Sequence, residues 1–454
     1  LLETGDTFFD YGCGRGEDVA LLQERGFKAN GWDPYYNPDA SKQKANFVAM
    51  TYVINVIEDP EERAESLRDA WSYAERVFLV SAQVTLAQTG KYQVPYADGI
   101  LTGSGTFQKY YTQQELKTFI EEVLETDAYP IGLGVFCVFR HEGDAAEFEA
   151  TRFHRRIVAK PARITLADLE NPEETLDPLL DFYRERGRFP RANERDPFKE
   201  TFKKVGGATR AERFVTTILG DEAESIALAR EEDLLLFLAL SHFQGRKLKF
   251  SALSKLMQGD IKTFCGSLKK ATETAKFLLF GLGEEGTLPN ACRAAEFGKL
   301  LPDALYVHTD YVDRLPFMLR LYEGVASRYM GRVDGATLVK FHLKIPRLTY
   351  LFYPDFETDP HPALEKAIRV SLADLEIELL DFSARTNPPI LHKKELFVTK
   401  EHPTYEKFAA LSRAETAARL YTQPHKIGTR DGWQAVLDAH GVGIEDHEVV
   451  PLDK

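Results

Sequence analysis

Up to about Arg140 the chain alternates short apolar strands with amphipathic helices, a pattern that predicts a doubly wound, mostly parallel α/β sheet. Two observations sharpen that expectation. A strand ending in Asp10 runs straight into a glycine-spaced turn, FFDYGCGRG, and a second strand, KANGWD, ends at Asp33, 23 residues further on. Ligands of such sheets bind at the carboxyl ends of the strands. After Arg140 the alternation stops. The expected organisation is a sheet domain over 1–140, a charged connector over 141–165, a helical, basic domain over 166–286 and an α+β domain over 287–454.

Taken in order, the first domain reads as strand TFFDYG, helix EDVALLQERG, strand KANGWD, strand NFVAMTYVI, helix PEERAESLRDAWSYA, strand RVFLVSAQV, helix TQQELKTFIEEVL and strand IGLGVFCVFR. Only about a dozen residues, PYYNPDASKQKA, separate Asp33 from the strand that begins near Asn46. That interval is too short and polar for a helix, a third strand and a loop, so a trimmed sheet edge is expected. The second domain carries apolar residues at three- and four-residue spacing, as in TRAERFVTTILG and EEDLLLFLALSHF. The third mixes helices, HPALEKAIRVSLADLEIELL and TYEKFAALSRAETAARLY among them, with possible strands ATLVKFHLKI and RLTYLFYP.

The turn after the first strand carries the clearest chemistry. Gly12, Gly14 and Gly16 follow Asp10 as Asp-x-Gly-x-Gly-x-Gly. Glycine permits positive φ and lets a ligand approach backbone N–H groups at a helix N-terminus. The spacing departs from G-x-G-x-x-G, which argues against an NAD-linked enzyme, and no Gly-Lys-Ser/Thr follows as in a P-loop. It resembles the first motif of class I S-adenosylmethionine methyltransferases. That resemblance implies a Rossmann-like methyltransferase sheet, and the short interval after Asp33 predicts one lacking the third strand. The resemblance also implies S-adenosylmethionine as cofactor, held by Asp10, Gly12, Cys13, Gly14, Gly16 and Asp33. Asp33 is placed to accept hydrogen bonds from ribose hydroxyls; an Asp before Pro is also an ordinary turn residue. Tyr35 or Tyr36 is a candidate to stack on adenine, with a plain surface turn as the alternative.

Acceptor-side candidates follow the later strands. Tyr52 and Asn55 fall at the carboxyl end of NFVAMTYVI, where the alternatives are a packed tyrosine and a turn-capping asparagine. Gln108, Lys109 and Tyr110 precede a helix capped by Thr112 in DGILTGSGTFQKYYTQQEL, where the alternative is a hairpin packed over the sheet. Neither Asn/Asp-Pro-Pro-Tyr nor a Pro-Cys nucleophile accompanies the cradle, so the usual routes to adenine or cytosine methylation are not supported.

The net charge of -13 is uneven: Lys+Arg against Asp+Glu is 12 to 25 over 1–150, 26 to 22 over 151–300 and 19 to 23 over 301–454. The basic 152–213 region, with interleaved Phe, makes DNA a candidate partner, against the alternative of solvated helix faces. The four cysteines lack CxxC spacing and the histidines are dispersed, so neither a disulfide framework nor a metal site is expected. No apolar run reaches transmembrane length, which makes no membrane partner and a cytoplasmic setting the expectation. The chain opens without Met shortly before the first strand, so a preceding piece is expected.

Longer strings carry a more specific likeness. FDYGCGRGEDVALL, GWDP, YVINVIEDPEERAESLRDAW, GTFQKYYTQQEL, LPDALYVH, LPFMLRLYEG, HKKELFV and LSRAETAARLY together resemble the putative methyltransferases encoded beside bacterial DNA phosphorothioation gene clusters. The resemblance implies a methyltransferase connected with DNA modification or phage defence, with proteins of that system as partners and an acceptor left open. The competing expectation is a non-catalytic S-adenosylmethionine-binding assembly or DNA-contacting subunit.

Overall fold

A computed structural model describes residues 5–84, 94–103, 105–152, 172–331 and 333–452. The chain forms two compact units. One comprises 1–140, 288–315 and 326–454, and the other 141–287 and 316–325.

The first unit opens with β1 (Thr7–Tyr11), α1 (Glu17–Glu24), β2 (Lys28–Trp32), β3 (Ala45–Thr51), α2 (Pro60–Tyr73) and β4 (Ala74–Ser81). A small ribbon, β5 (Val94–Tyr96), β6 (Gly99–Leu101) and β7 (Phe107–Gln108), precedes α3 (Gln113–Leu124) and the pair β8 (Ala128–Gly132) and β9 (Val135–Phe139). The main sheet runs β2-β1-β3-β4-β9-β8. Its first four strands are parallel and its last two antiparallel to their neighbours. Among the described residues β2 is the edge, in agreement with the trimmed sheet that the short 34–44 interval predicts. Within that interval Lys42 lies over the Trp32 ring at 4.0 Å and bonds Asp69 of α2 at 2.5 Å, which closes the edge with one side chain.

Local sequence explains the helices. Asp59 caps α2 by accepting from the N–H groups of Glu61 (2.7 Å) and Glu62 (3.3 Å), with Pro60 at the first helical position. Thr112 and Glu115 form a reciprocal capping box on α3. Leu67 and Ala70 of α2, and Leu116 and Ile120 of α3, recur at helical spacing. They bury against Phe9, Val48, Met50, Phe78 and Val80 of the sheet.

Two strand expectations change. IGLGVFCVFR is not one strand: Gly134, at φ +69°, turns β8 back as β9, and the pair completes the sheet antiparallel to β4. NFVAMTYVI ends at Thr51, because Tyr52 takes φ +56° and leaves the strand.

The second unit is helical: α4 (Glu142–Thr151), α5 (Pro172–Arg186), α6 (Lys199–Val205), α7 (Ala208–Leu219), α8 (Glu222–Phe243), α9 (Lys255–Phe264) and α10 (Leu268–Gly281). Leu176, Leu179, Leu180, Val215, Ile218 and Ile226 form part of its core.

After α11 (Thr287–Ala294), the strands β10 (Lys299–Leu301) and β11 (Ala304–His308) lead to α12 (Phe317–Met330). Then come β12 (Leu338–His342), β13 (Arg347–Phe352), β14 (Lys366–Ser371) and β15 (Ile377–Asp381), completing a six-stranded antiparallel meander in sequence order. The chain closes with α13 (Tyr405–Ala417), α14 (Arg430–His440) and the hairpin β16 (Val442–Glu445) and β17 (Glu448–Pro451). The expected helix HPALEKAIRVSLADLEIELL is instead β14 and β15. Ile368 and Val370 bury on the sheet, Leu375 turns at φ +60°, and Arg369 faces Glu378 across the strands at 3.2 Å. Helical spacing of the leucines lost to cross-strand pairing with β13.

Candidate functional site

The parallel strands end together. Asp10 registers with Gly31 and Ala49, Tyr11 with Trp32, and Thr51 with Ser81. The glycine turn, the Asp33 turn and the 52–56 turn therefore emerge at one sheet edge, where strand order places ligands.

The glycine turn is held from β2. Gly12 and Cys13 donate their N–H groups to the Trp32 carbonyl at 2.8 and 3.1 Å, and Gly14 donates to Asp33 Oδ2 at 3.0 Å. Asp33 Oδ1 accepts from Tyr35 (2.9 Å) and Tyr36 (2.8 Å), so this carboxylate fixes both loops. Three of its roughly four acceptor positions are then used, and Oδ2 keeps one. Gly12 has a packing reason of its own. It sits at φ +85°, and a Cβ there would lie 2.4 Å from Val53 Cγ2, so the glycine lets the 52–56 turn close on the loop. Gly14 differs: at φ +54° its Cβ position meets no described atom within 4 Å, and this is the open side of the turn. Gly16, also at positive φ, is the N-cap of α1 and gives it no side-chain cap.

Asp10 lies beneath this turn, 3% exposed, and among the described residues its Oδ1 has no hydrogen-bond partner. Burial, reinforced by the charges of Asp18 and Asp33, raises its pKa to about 6. Burial, then the charges of Asp10 and Asp33, hold the Cys13 thiol above its ordinary value. A buried carboxylate left unpaired beside two other acids is a standing cost, which a cation would relieve.

Of the residues expected on the acceptor side, Tyr52 is exposed and left-handed, a conformation that costs a non-glycine residue about 1–2 kcal/mol. Asn55 is buried with Oδ1 unpartnered among the described residues, as is Ser81 Oγ at the end of β4. Asn55 also accepts the Lys109 N–H at 2.7 Å through its main-chain oxygen. Gln108 lies on β7, half-buried, and Tyr110 is partly exposed. The Lys109 ammonium is bound at 2.8 Å by Glu115 and at 3.1 Å by Asp98. Asp98 is held in turn by the buried Arg63 at 2.8 Å, which pulls its carboxyl down to about 2. Lys109 thus ties the ribbon to α3. Tyr35 and Tyr36 are exposed, in edge contact at 4.9 Å, with the Arg15 guanidinium 5.6 Å from the Tyr36 ring.

Sequence reasoning missed the left-handed Tyr52 and the closing role of Val53, which appear only once the strand end is placed. It missed a convergence in the antiparallel part too: His308, Glu357 and His402 bring one ligand atom each within 4.8 Å of one another. Their spacing in the chain gives no sign of it.

In the basic 152–213 region, residues 153–171 lie outside the described residues. Of the rest, Arg186 and Arg188 are turned inward onto Asp260 and Glu194, while Arg191, Lys199, Lys203, Lys204, Arg210 and Arg213 are exposed. No helix among the described residues is long and apolar enough to cross a membrane.

Residues 1–123 match a family model described as a methyltransferase domain. No curated protein matches the chain. Among solved structures, 1,6-didemethyltoxoflavin-N1-methyltransferase of Burkholderia thailandensis is 11% identical, with 30% of this chain and 70% of that one covered and a TM-score of 0.24. The magnesium protoporphyrin IX methyltransferase of Synechocystis PCC 6803 is 13% identical, over 30% and 74%, with a TM-score of 0.22. The CcbJ methyltransferase of Streptomyces caelestis is 13% identical, over 30% and 84%, at 0.23. Likenesses at these scores carry no argument about activity. The N-terminal 123 residues, on a Rossmann-like sheet, carry a methyltransferase domain.

Proposed function

We propose that this chain is an S-adenosylmethionine-dependent methyltransferase associated with a DNA-modification or phage-defence system, its acceptor open, with phosphorothioated DNA the first acceptor to test. The observation that carries the cofactor reading is Asp10, buried under an open glycine turn with one carboxylate oxygen unpaired among the described residues. The residues fit the group: Asp10 offers negative charge to a cationic ligand, Gly14 leaves room against the turn, and Asp33 keeps an acceptor position for a hydroxyl. The exposed Tyr35–Tyr36 pair, next to Asp33, offers an aromatic face.

When bound, S-adenosylmethionine supplies a methyl group on a cationic sulfonium, activated for in-line displacement. What the chain supplies is alignment and exclusion of water at the sheet edge. Tyr52, Asn55, Gln108, Lys109 and Tyr110 are the acceptor-side residues proposed, with the Lys109 ammonium tying the ribbon to α3. The DNA association rests on the long strings that resemble the phosphorothioation-linked family and on the exposed cations of 191–213.

A second reading has its own support. The Lys109 ammonium is neutralised by Asp98 and Glu115 and not held ready for an anionic acceptor, which suits a non-catalytic S-adenosylmethionine-binding subunit. Incubation with tritiated S-adenosylmethionine and either phosphorothioated or plain DNA separates the two. Label in DNA supports the enzyme and names its acceptor; tight cofactor binding with no label in DNA, RNA or protein supports the subunit.

A further inference from the structure

We propose that the C-terminal α+β part binds one divalent transition-metal ion, zinc in the first place, through His308, Glu357 and His402. The three side chains come from separate places: His308 ends β11, Glu357 lies just after β13, and His402 precedes α13. Their ligand atoms all fall within 4.8 Å of one another, and His402 Nε2 stands 3.3 Å from Glu357 Oε1. Ligands bound tetrahedrally at about 2.0–2.1 Å lie roughly 3.3 Å apart, so this pair already has the spacing of two corners of a zinc site.

Thr404 and Asp310 hold the ligand side chains in place. Thr404 Oγ1 lies 3.2 Å from His402 Nδ1 and donates to Glu357 Oε2 at 2.7 Å. His402 Nδ1 also accepts the Thr404 N–H at 3.3 Å; an ion on Nε2 puts the proton on Nδ1, so that bond gives way and the Nδ1–H passes to Thr404 Oγ1, whose own hydrogen keeps its bond to the carboxylate. One hydroxyl thereby fixes both ligands, the usual service of an outer partner. His308 Nδ1 accepts the Asp310 N–H at 3.3 Å and stands 3.7 Å from the Asp310 carboxylate, which is placed to take an Nδ1–H. Both imidazoles are buried among aromatic rings, with Phe356 5.0 Å from His308, so they lose little mobility on binding. Glu357 is half-exposed, which leaves the ion a solvent-facing position for water or an oxyanion. Two nitrogens and one oxygen suit zinc, iron(II) or manganese and disfavour calcium and magnesium.

The test uses the full chain, stripped with EDTA and titrated with Zn²⁺ by calorimetry and with Co²⁺ by visible absorption. One ion per chain is expected, with cobalt bands that zinc displaces. Glu357→Gln and His402→Gln should each weaken Zn²⁺ binding about a hundredfold or more, since lesser outer-shell changes already cost about 10–100-fold. His425→Gln, at an exposed histidine elsewhere, should leave it unchanged. If His402→Gln unfolds, Glu357→Gln decides, because the half-exposed acid can lose its charge without disturbing the core. Absence of zinc heat and cobalt bands in the unmodified chain overturns the proposal. So does binding that survives Glu357→Gln or disappears in His425→Gln.

Discussion

The sheet edge of the first unit and the core of the helical unit both bury charge, and they do it in opposite ways. In the helical unit Arg188 is 3% exposed and bonds Glu194 through two nitrogens at 2.6 and 2.8 Å, Asp260 at 2.6 Å and the Leu256 carbonyl at 3.0 Å. Even a methyl at Gly259 would meet Arg188 Nη2 at 2.3 Å. Asp10 is equally buried, yet one of its oxygens has no partner among the described residues and the turn above it is open at Gly14. A closed network specifies structure; an unpaired buried charge beside an open turn is a place for a ligand.

The largest effect expected from this contrast is at the closed network. Glu194→Gln leaves Arg188 short of a charge in a dry site and should cost about 3–5 kcal/mol in chemical denaturation, while the folded variant keeps its cofactor affinity. A smaller loss, or a loss of affinity, would erase the contrast.

Asp10→Asn should act with the opposite sign. The folded-state pKa, about 6, exceeds the ordinary 3.8, so the native protein holds this proton more tightly than the unfolded chain. The group therefore favours folding most below pH 4, and that advantage disappears as pH rises to about 6. Above pH 6 the unmodified chain carries a penalty of up to about 3 kcal/mol. The variant should melt higher at pH 8 and no differently at pH 4, as thermal denaturation at the two pH values will show. Gly14→Ala should have the smallest effect on folding, about 1–2 kcal/mol for a left-handed alanine with no clash, while cofactor affinity falls.

Much of the sheet was legible because its signals are local. The Asp-x-Gly spacing, the second acid 23 residues on, the Asp59-Pro60 and Thr112–Glu115 caps and the short 34–44 interval each name an element within a few residues. The misses were decided at a distance. Residues 366–381 carry helix-like leucine spacing and became strands because β13 offers an edge to pair with. Lys109 read as an acceptor-side candidate, and Asp98, itself held by Arg63 of α2, and Glu115 of α3 took its ammonium into a network. Arg186 and Arg188 read as part of a basic surface, until Asp260, far along the chain, folded over them. His308, Glu357 and His402 meet only when the antiparallel sheet and the turn before α13 are in place.

The most direct measurement is calorimetric titration of the full chain and of Asp10→Asn with S-adenosylmethionine between pH 5 and 8. The account predicts binding to the unmodified chain that is constant above pH 6 and weakens up to about tenfold per unit below it, with Asp10→Asn folded, at least as stable at pH 8, and binding at least about a hundredfold more weakly, as loss of a buried charge contact does. Equal affinity in the two proteins, or binding indifferent to pH across that range, would contradict it.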